Sequence, residues 1–399
     1  MLSLRPSDSA GAQGTPALPA TPAEPGREPS NGPLGGASTE PDPSAGAPPA
    51  VTLSVCIVSY KRQDLILRCL DAVFNTITTV PFEVLVCENG SGDGTAALIA
   101  ERCPRARLFV NADNRGFAAA NNQLMAHASG TLVLLLNNDC IVSNGAIDAM
   151  VHFMSAHPSV GIAGGRVVFP DGVLQPSFQK RLEGPLANYS PTRFGRAKRQ
   201  ERLLSSRRSL AQRLAIATQY ATEQGYSRDQ QVAVVIGAFM MLRRTLITQH
   251  GAFDERYFMY REDSELCVRA ARAGWQVYYC HDALAVHHHI TRAERDVGRA
   301  QLLEAAYCDS QLRFSRAYFP WWQSRLLAIT LCVVALIRIV ALACTLPWSI
   351  DRSSVQQRLQ IHLRIIPRVL SVLGERPSGP LSSVAQPDGL RSGHDGAPR

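Results

Sequence analysis

Three clusters of carboxylate and imidazole residues stand out as groups able to do chemistry. In LVLLLNND, Leu132–Asp139, five apolar residues suited to a strand buried on both faces run directly into two asparagines and an aspartate. If phosphates bind beyond this strand, a divalent cation held by Asp139 would neutralise them. Magnesium and manganese favour oxygen ligands and often take only one or two carboxylates plus substrate phosphates. In FMYREDSELCVRAARAGW, Phe258–Trp275, the acids Glu262, Asp263 and Glu265 crowd the first turn of a helix. Leu266, Ala270 and Ala273 mark its apolar face and Gly274 its stop. The helix dipole favours acids at that end, and a carboxylate held there is expected to stay ionised at neutral pH and to point into a cleft. His287, His288 and His289 follow the strand-like ALAV; alternation puts His287 and His289 on one face and His288 on the other.

The elements that must carry these groups alternate in type. Val51–Tyr60 reads as an apolar strand, and the pairs Leu65/Ile66, Cys69/Leu70 and Val73/Phe74 recur as a helix stripe, with Asp64 as its expected cap. Phe82–Cys87 is a second strand ending in the loop ENGSGDGT. Arg107–Val110 is a third, an Ala-rich helix runs from Gly116 to about Ala128, and the Leu132–Leu136 strand follows. Strands separated by helices at this spacing imply a parallel sheet covered on both faces, and ligands of such sheets bind beyond the carboxyl ends of the strands. Ser59 and Tyr60, Glu88 and Asn89, and Asn111, Asp113 and Asn114 stand at successive strand ends. These types are common turn formers, but their repetition along one edge suits a nucleotide. There is no GxxxxGK[ST], and GSGDG does not fit GxGxxG opening a helix, which argues against a P-loop NTPase and a dinucleotide oxidoreductase.

Composition bounds the rest. With 46% hydrophobic residues in 399, the chain can bury one large core or two modest ones. Residues 1–50, rich in Pro, Gly, Ala, Ser and Thr, and residues 373–399 read as disordered tails; the first lacks the apolar region of a secretory signal. Ten cysteines without CxxC spacing point to buried, reduced thiols in a cytosolic protein, with neither disulfides nor structural zinc. The net charge of +8 is concentrated between Arg193 and Arg213, within a basic insertion at about 180–231. Such a run is either a solvated helical face or a surface for a phosphorylated or anionic partner. No nucleic-acid module accompanies it, and nucleic acid is not expected as a partner.

Taken together, SVCIVSYKR, VLVCENGSGDGT, NADNRGFAAANNQ, LLLNND, PDGVLQPS, FDERYFMYREDSELCVRAARAGW and ALAVHH resemble, in order, family 2 glycosyltransferases of the GT-A fold. The similarity is greatest to the branch resembling rhamnosyltransferases of bacterial cell-surface polysaccharide synthesis, and it spans roughly Leu53–His289. The resemblance implies an α/β fold with a mostly parallel, Rossmann-like sheet flanked by helices over about 51–300. It implies that Tyr60, Glu88 and Asn89 contact the nucleoside and that Asn114, Gly116, Phe117 and Asn121 shape the nucleotide side of the pocket. Asn137, Asn138 and Asp139 stand where many relatives have Asp-x-Asp, so Asp139 is the expected metal ligand, with Asn137 and Asn138 beside it on the donor. Inverting transfer needs a base on the sugar face opposite the leaving nucleotide. By resemblance that base is Asp263, with Glu262 in a supporting or acceptor-positioning role. His287 or His288 matches the family's metal-contacting histidine, and Val232–Arg244 matches its strand lining the sugar region, with Gly237 and Ala238 allowing close approach.

The implied reaction moves a sugar, rhamnose from dTDP-rhamnose or a hexose from a UDP donor, to a lipid-linked or cell-surface glycan with Mn or Mg as cofactor. A non-catalytic, membrane-tethered carbohydrate- or nucleotide-binding protein is the alternative of another class. Residues 301–372 read as a helical, membrane-associating region. Leu326–Trp348 is long enough to cross a bilayer at about 1.5 Å per residue. Arg338 interrupts it, at a cost of roughly 2.5 to 3.5 kcal/mol near the centre of a spanning helix. With Trp321, Trp322 and Trp348 as interfacial anchors, a helix lying in the cytoplasmic leaflet is expected first, a spanning helix second and a buried core helix third. The expected location is the cytoplasm, at the inner face of the cell membrane.

Overall fold

The computed structural model describes residues 52–77, 79–182, 184–185, 225–288, 297–346 and 352–374. The expected tail 1–50, the second expected tail beyond residue 374, the arginine run 193–213, His289 and Trp348 lie outside them, while residues 373 and 374 of that second tail are helical. The strands are β1 (Leu53–Ser59), β2 (Phe82–Asn89), β3 (Arg107–Asn111), β4 (Leu132–Asn137), β5 (Cys140–Val142), β6 (Val160–Val168), β7 (Leu174–Gln175), β8 (Phe178–Gln179), β9 (Gln230–Gln231), β10 (Val234–Val235), β11 (Phe239–Arg243) and β12 (Gln276–His287). The helices are α1 (Gln63–Thr76), α2 (Thr95–Arg102), α3 (Phe117–His127), α4 (Ala146–Ala156), α5 (Arg244–His250), α6 (Glu262–Arg272), α7 (Val297–Tyr318), α8 (Trp321–Thr345) and α9 (Arg352–Gly374).

The main sheet has the order β3-β2-β1-β4-β11-β6-β12-β5. Its first four strands are parallel, and β12 is parallel to β6. The sheet is nonetheless mixed, because β11 runs antiparallel to both β4 and β6 and β5 runs antiparallel to β12. Apolar periodicity is the same for either direction, so the antiparallel strands were not visible in the sequence. The expected Val232–Arg244 strand is divided into β10 and β11, and the residues between them turn toward α6.

Alternation within the strands builds the two faces. Leu132, Leu134 and Leu136 of β4 join Leu53, Val55 and Ile57 of β1 in a core closed by the Ile66, Cys69, Leu70 and Val73 stripe of α1 and by α4. Val133 and Leu135 point the other way, with Cys56, onto Ala120 and Leu124 of α3 and Leu266 and Ala270 of α6. The order 3-2-1-4 places a topological switch between β1 and β4, where ligands of open α/β sheets bind. Asp64 does not cap α1: the helix starts at Gln63 without a side-chain cap, and Asp64, inside the first turn, pairs with Arg62 at 3.2 Å. That guanidinium neighbour holds the Asp64 carboxyl below its ordinary value.

Helices α7, α8 and α9 share a separate core of Leu312, Leu327, Leu331, Ile365 and Val369. Two side-chain hydrogen bonds tie α7 to α6 and the loop before it: Ser310 Oγ donates to Met259 O at 2.8 Å and Tyr318 Oη donates to Glu265 Oε1 at 2.9 Å. Because Leu134 is fully buried at the sheet centre, Leu134→Ala is expected to cost about 2–5 kcal/mol of stability, read as a lowered urea midpoint with an unchanged slope.

Candidate active site

The carboxyl edge of the parallel strands gathers the polar residues in two groups. The first is a brace across β1, β2 and β3. Asn89 at the end of β2 donates from Nδ2 to Asn114 Oδ1 at 3.0 Å and to Gly116 O at 3.3 Å, and its Oδ1 accepts from Asn111 Nδ2 at 2.9 Å and from Arg115 N at 3.2 Å. Asn114 Oδ1 also accepts from Gly116 N at 2.9 Å. Both amides are therefore engaged in holding the loop before α3. Gly116 has φ +86°, and a Cβ there would lie 2.5 Å from Phe258 O. Only glycine lets α3 begin against that carbonyl, which accepts from Phe117 N at 2.8 Å. Asn121 is buried and turned back on its own helix, donating to Phe117 O at 2.9 Å. Glu88 is buried and accepts from Ser91 N at 2.9 Å, while Ser91 Oγ accepts from Lys61 N at 2.9 Å, joining the β1 and β2 loops beside Tyr60. The Lys61 ammonium stands 5.4 Å from the Tyr60 ring centre.

The second group lies at the ends of β4 and β12. Asp139 Oδ1 is 3.1 Å from His287 Nε2, and Asn137 Nδ2 is 3.5 Å from the same nitrogen. Asn138 turns to the opposite neighbour, donating from Nδ2 to Ser59 Oγ at 3.2 Å. Of the two histidines left open by alternation, the ring of His287 is the one paired with Asp139; His288 meets Asp139 through its backbone, N to O at 2.8 Å. Burial, reinforced by Arg68, holds the His288 imidazole below its ordinary pKa. Asp139, Cys140 and His287 place one donor atom each within 4.8 Å of one another. The Asp139 carboxylate suits manganese or magnesium with further oxygen ligands from substrate. The His287 imidazole is a softer donor that suits manganese better than magnesium. Burial pushes the Cys140 thiol up and keeps it from the thiolate form a ligand needs. Asp139 and His287 thus fit manganese.

Asp263 lies in the first turn of α6. Its Oδ2 accepts from Gly237 N at 3.1 Å and its Oδ1 from Ser264 N at 2.6 Å. A Cβ on Gly237 would stand 3.2 Å from the Phe117 ring and 3.7 Å from Asp263 Cβ, so Phe117, Gly237 and Asp263 converge. Desolvation raises the Asp263 carboxyl above its ordinary value, opposed by the Gly237 and Ser264 N–H groups. Glu262 is 5% exposed, and its Oε2 has no hydrogen-bond partner among the described residues. Burial, with the Asp263 charge adding, pushes it well above the usual carboxylate range. At this helix start desolvation therefore works against the dipole that favours the ionised carboxylate.

Two residues with structural claims on the site lie inside the motifs NADNRGFAAANNQ and PDGVLQPS but are not singled out by the sequence. Asn122 clamps the loop before α6, donating from Nδ2 to Phe253 O and Glu255 Oε1 and accepting from Phe253 N. Gln175 Oε1 lies 2.9 Å from His287 Nδ1. Tyr260 and Arg261, at φ +70° and +67°, form the strained entry to α6.

A family model described as "Glycosyltransferase like family 2" matches residues 48–303. The chain belongs to this family. It is a glycosyltransferase, and its mixed, mostly parallel sheet flanked by helices is a GT-A-like fold. The enzyme is 29% identical over 295 residues to the N-acetylglucosaminyl-diphospho-decaprenol L-rhamnosyltransferase of Mycobacterium tuberculosis, a match covering 69% of this chain and 87% of that protein. It is 27% identical over 282 residues to the O-antigen biosynthesis protein RfbC of Myxococcus xanthus, covering 66% of this chain and 19% of the other. The solved mannosyltransferase PcManGT from Pyrobaculum calidifontis, in complex with GDP-Man and Mn2+, overlaps with a TM-score of 0.42 at 17% identity, covering 84% of this chain and 78% of that one. That overlap is too slight to carry ligand or chemistry across.

The buried Glu262 of this glycosyltransferase has a thermodynamic signature. A carboxyl raised in the folded state binds more protons there than in the unfolded chain, so stability falls as pH rises from the unfolded value near 4.3 toward the folded one. Glu262→Gln is expected to raise the melting temperature at about pH 8 and to leave it nearly unchanged at about pH 4, as measured by circular dichroism.

Proposed function

We propose that this glycosyltransferase moves rhamnose from dTDP-rhamnose to a lipid-linked glycan at a membrane surface, with inversion and with a divalent cation. The observation that carries the reading is the placement of two acidic poles on one backbone path. Asn137 N donates to Ala238 O at 2.9 Å, and the adjacent Gly237 N donates to Asp263 Oδ2. The end of β4, two residues before Asp139, and the first turn of α6, which carries Asp263, are thereby joined through Gly237 and Ala238. Asp139 and His287 would hold the cation, which offsets charge on a departing diphosphate when bound. Asp263 takes the proton of the acceptor hydroxyl as that oxygen attacks the anomeric carbon; its raised pKa makes it a stronger base than an exposed carboxylate. Glu262, retaining its proton, serves as a hydrogen-bond donor beside the base. Tyr60 and Glu88 face the nucleoside, with Asn89, Asn114, Gly116, Phe117 and Asn121 shaping its wall and Asn137 and Asn138 the diphosphate end.

The acceptor class follows from the decaprenyl diphosphate sugar named for the mycobacterial relative, and the C-terminal helices support a lipid surface. Helix α8 packs inward through Leu327, Leu331 and Ala335. Its other side exposes Trp322, Leu326, Ile329, Val333, Ile337 and Val340, a stripe at helical spacing. Arg338 reaches Glu304 of α7 at 2.6 Å, so the residue that interrupts the apolar run ties α8 to its neighbour. Sequences 321–346 and 352–374 contain arginines and no acid, which suits an in-plane helix on anionic headgroups. The ten unpaired cysteines fit a reducing cytoplasm.

Asp263→Asn is expected to lower turnover by roughly 10²- to 10⁴-fold while dTDP and manganese still raise the melting temperature; Asp139→Asn should lose that manganese-dependent shift. A larger shift with UDP sugars would keep the chemistry and replace the donor, and unchanged turnover in Asp263→Asn would overturn the base. In wild type the acid limb of kcat/KM is expected above the range of a free aspartate. Flotation with anionic vesicles should carry the wild-type protein, and Leu326→Glu with Val333→Glu should leave it in the soluble fraction.

A further inference from the structure

Helix α6 begins at a place that its own sequence does not secure. Arg261 fills the N-cap position without a side-chain cap bond, and Tyr260 and Arg261 stand in succession at φ +70° and +67°. Helix starts are ordinarily held by a short polar side chain on an extended backbone. Consecutive non-glycine residues in the left-handed region persist only where the surroundings over-determine them. Asp263 follows two residues later, so this turn sets where its carboxylate stands.

One stripe of α7 supplies those surroundings. Tyr307, Ser310, Phe314 and Tyr318 recur at steps of three, four and four residues and so share a face of the helix. Ser310 Oγ, fully buried, donates to Met259 O at 2.8 Å. The Tyr307 ring meets that of Tyr260 edge to face at 5.8 Å, and the buried Phe314 ring lies 5.1 Å from the guanidinium carbon of the buried Arg261. Beyond Asp263, Tyr318 Oη donates to Glu265 Oε1 at 2.9 Å, and Glu265 pairs at 2.8 Å with Arg269, which donates to Gly251 O and Ala252 O. A second stripe of the same helix, Cys308, Leu312 and Ser315, packs toward α8 and α9 instead.

We infer that Ser310 and Phe314 are positioning residues for the transfer reaction, which hold the turn 259–261 in its left-handed conformation and so fix the Asp263 carboxylate against Gly237 N. The effect on rate rests on the reading of Asp263 as the base; the hold on the turn belongs to the chain alone. Misplacing a reacting group by about 1 Å can cost about 10²-fold in rate. The nucleoside wall is held separately, by the hydrogen bonds of Asn89 and Asn114. Loss of the α7 contacts is therefore expected to act on turnover and to spare donor binding.

The test compares full-length Ser310→Ala and Phe314→Leu with wild type and with Leu331→Ala, which loosens the C-terminal core from α8 without touching the stripe. Circular dichroism checks that each is folded at the assay temperature. Turnover is measured with dTDP-rhamnose and a short-chain prenyl diphosphate N-acetylglucosamine, and donor binding as thermal stabilisation by dTDP with manganese. Hydrogen exchange over residues 257–266, read by mass spectrometry, reports the turn itself. Both stripe variants are expected to exchange faster there and to lose roughly 10- to 100-fold in kcat, with the dTDP-dependent stabilisation unchanged. Leu331→Ala should melt at a lower temperature and keep the wild-type kcat. Wild-type kcat in the folded stripe variants, unchanged exchange over 257–266, or an equal loss of kcat in Leu331→Ala overturns the inference. If Asp263→Asn retains turnover while the stripe variants still speed exchange, the hold on the turn stands and the base reading falls.

Discussion

The site depends on how β4 leaves the sheet. A strand buried on both faces must satisfy its backbone groups to its last residue, and the final N–H of β4, from Asn137, is taken by Ala238 O. That bond can form only because β11 is antiparallel to β4, which puts the start of β11 at the edge where β4 ends. The next N–H back along the chain, from Gly237, is left to Asp263. One short run of backbone thereby joins the carboxylate beyond β4 to the carboxylate at the start of α6, elements far apart in the chain.

Around this join, most polar side chains hold structure and a few remain aimed at chemistry. Asn89 uses both its donors and its acceptor oxygen within the chain, and Asn114 and the buried Asn121 are likewise bonded to the chain. Asn122 does the same for the loop leading to α6. Glu262 is the exception, a buried carboxyl with an oxygen unpartnered among the described residues, next to Asp263. Leaving such a group costs stability, which is the kind of expense a folded protein retains at a working site.

The C-terminal helices are more closely joined to the catalytic layer than a simple anchor would be. Phe314 of α7 lies under the Arg261 guanidinium at 5.1 Å, and Tyr260 meets Tyr307 edge to face. Together with Ser310 and Tyr318, these contacts hold the positive-φ entry to α6 in place. The outer stripe of α8 stays free of that packing. The same helical unit therefore braces the turn before Asp263 and presents apolar surface on its other side.

Much of this was written in local pattern. Alternation in Leu132–Leu136, the four-residue recurrence along α1 and the acids opening α6 determined the α/β class, the strand ends that carry polar residues and the identity of Asp139 and Asp263 as the acids to watch. Those features depend on neighbours along the chain, whose periodicity a sequence displays directly. The direction of β11, the pairing of the His287 ring with Asp139, the Gln175 contact and the desolvation of Glu262 were not written there, nor was the pairing of Asp64 with Arg62 in place of a cap. Each of these is settled by groups distant in sequence: a strand pairing, a histidine set at a strand end, a hairpin amide and the burial of a carboxyl. Only the tertiary structure brings those partners together, because hydrogen bonding and desolvation depend on distance in space and not on position in the chain.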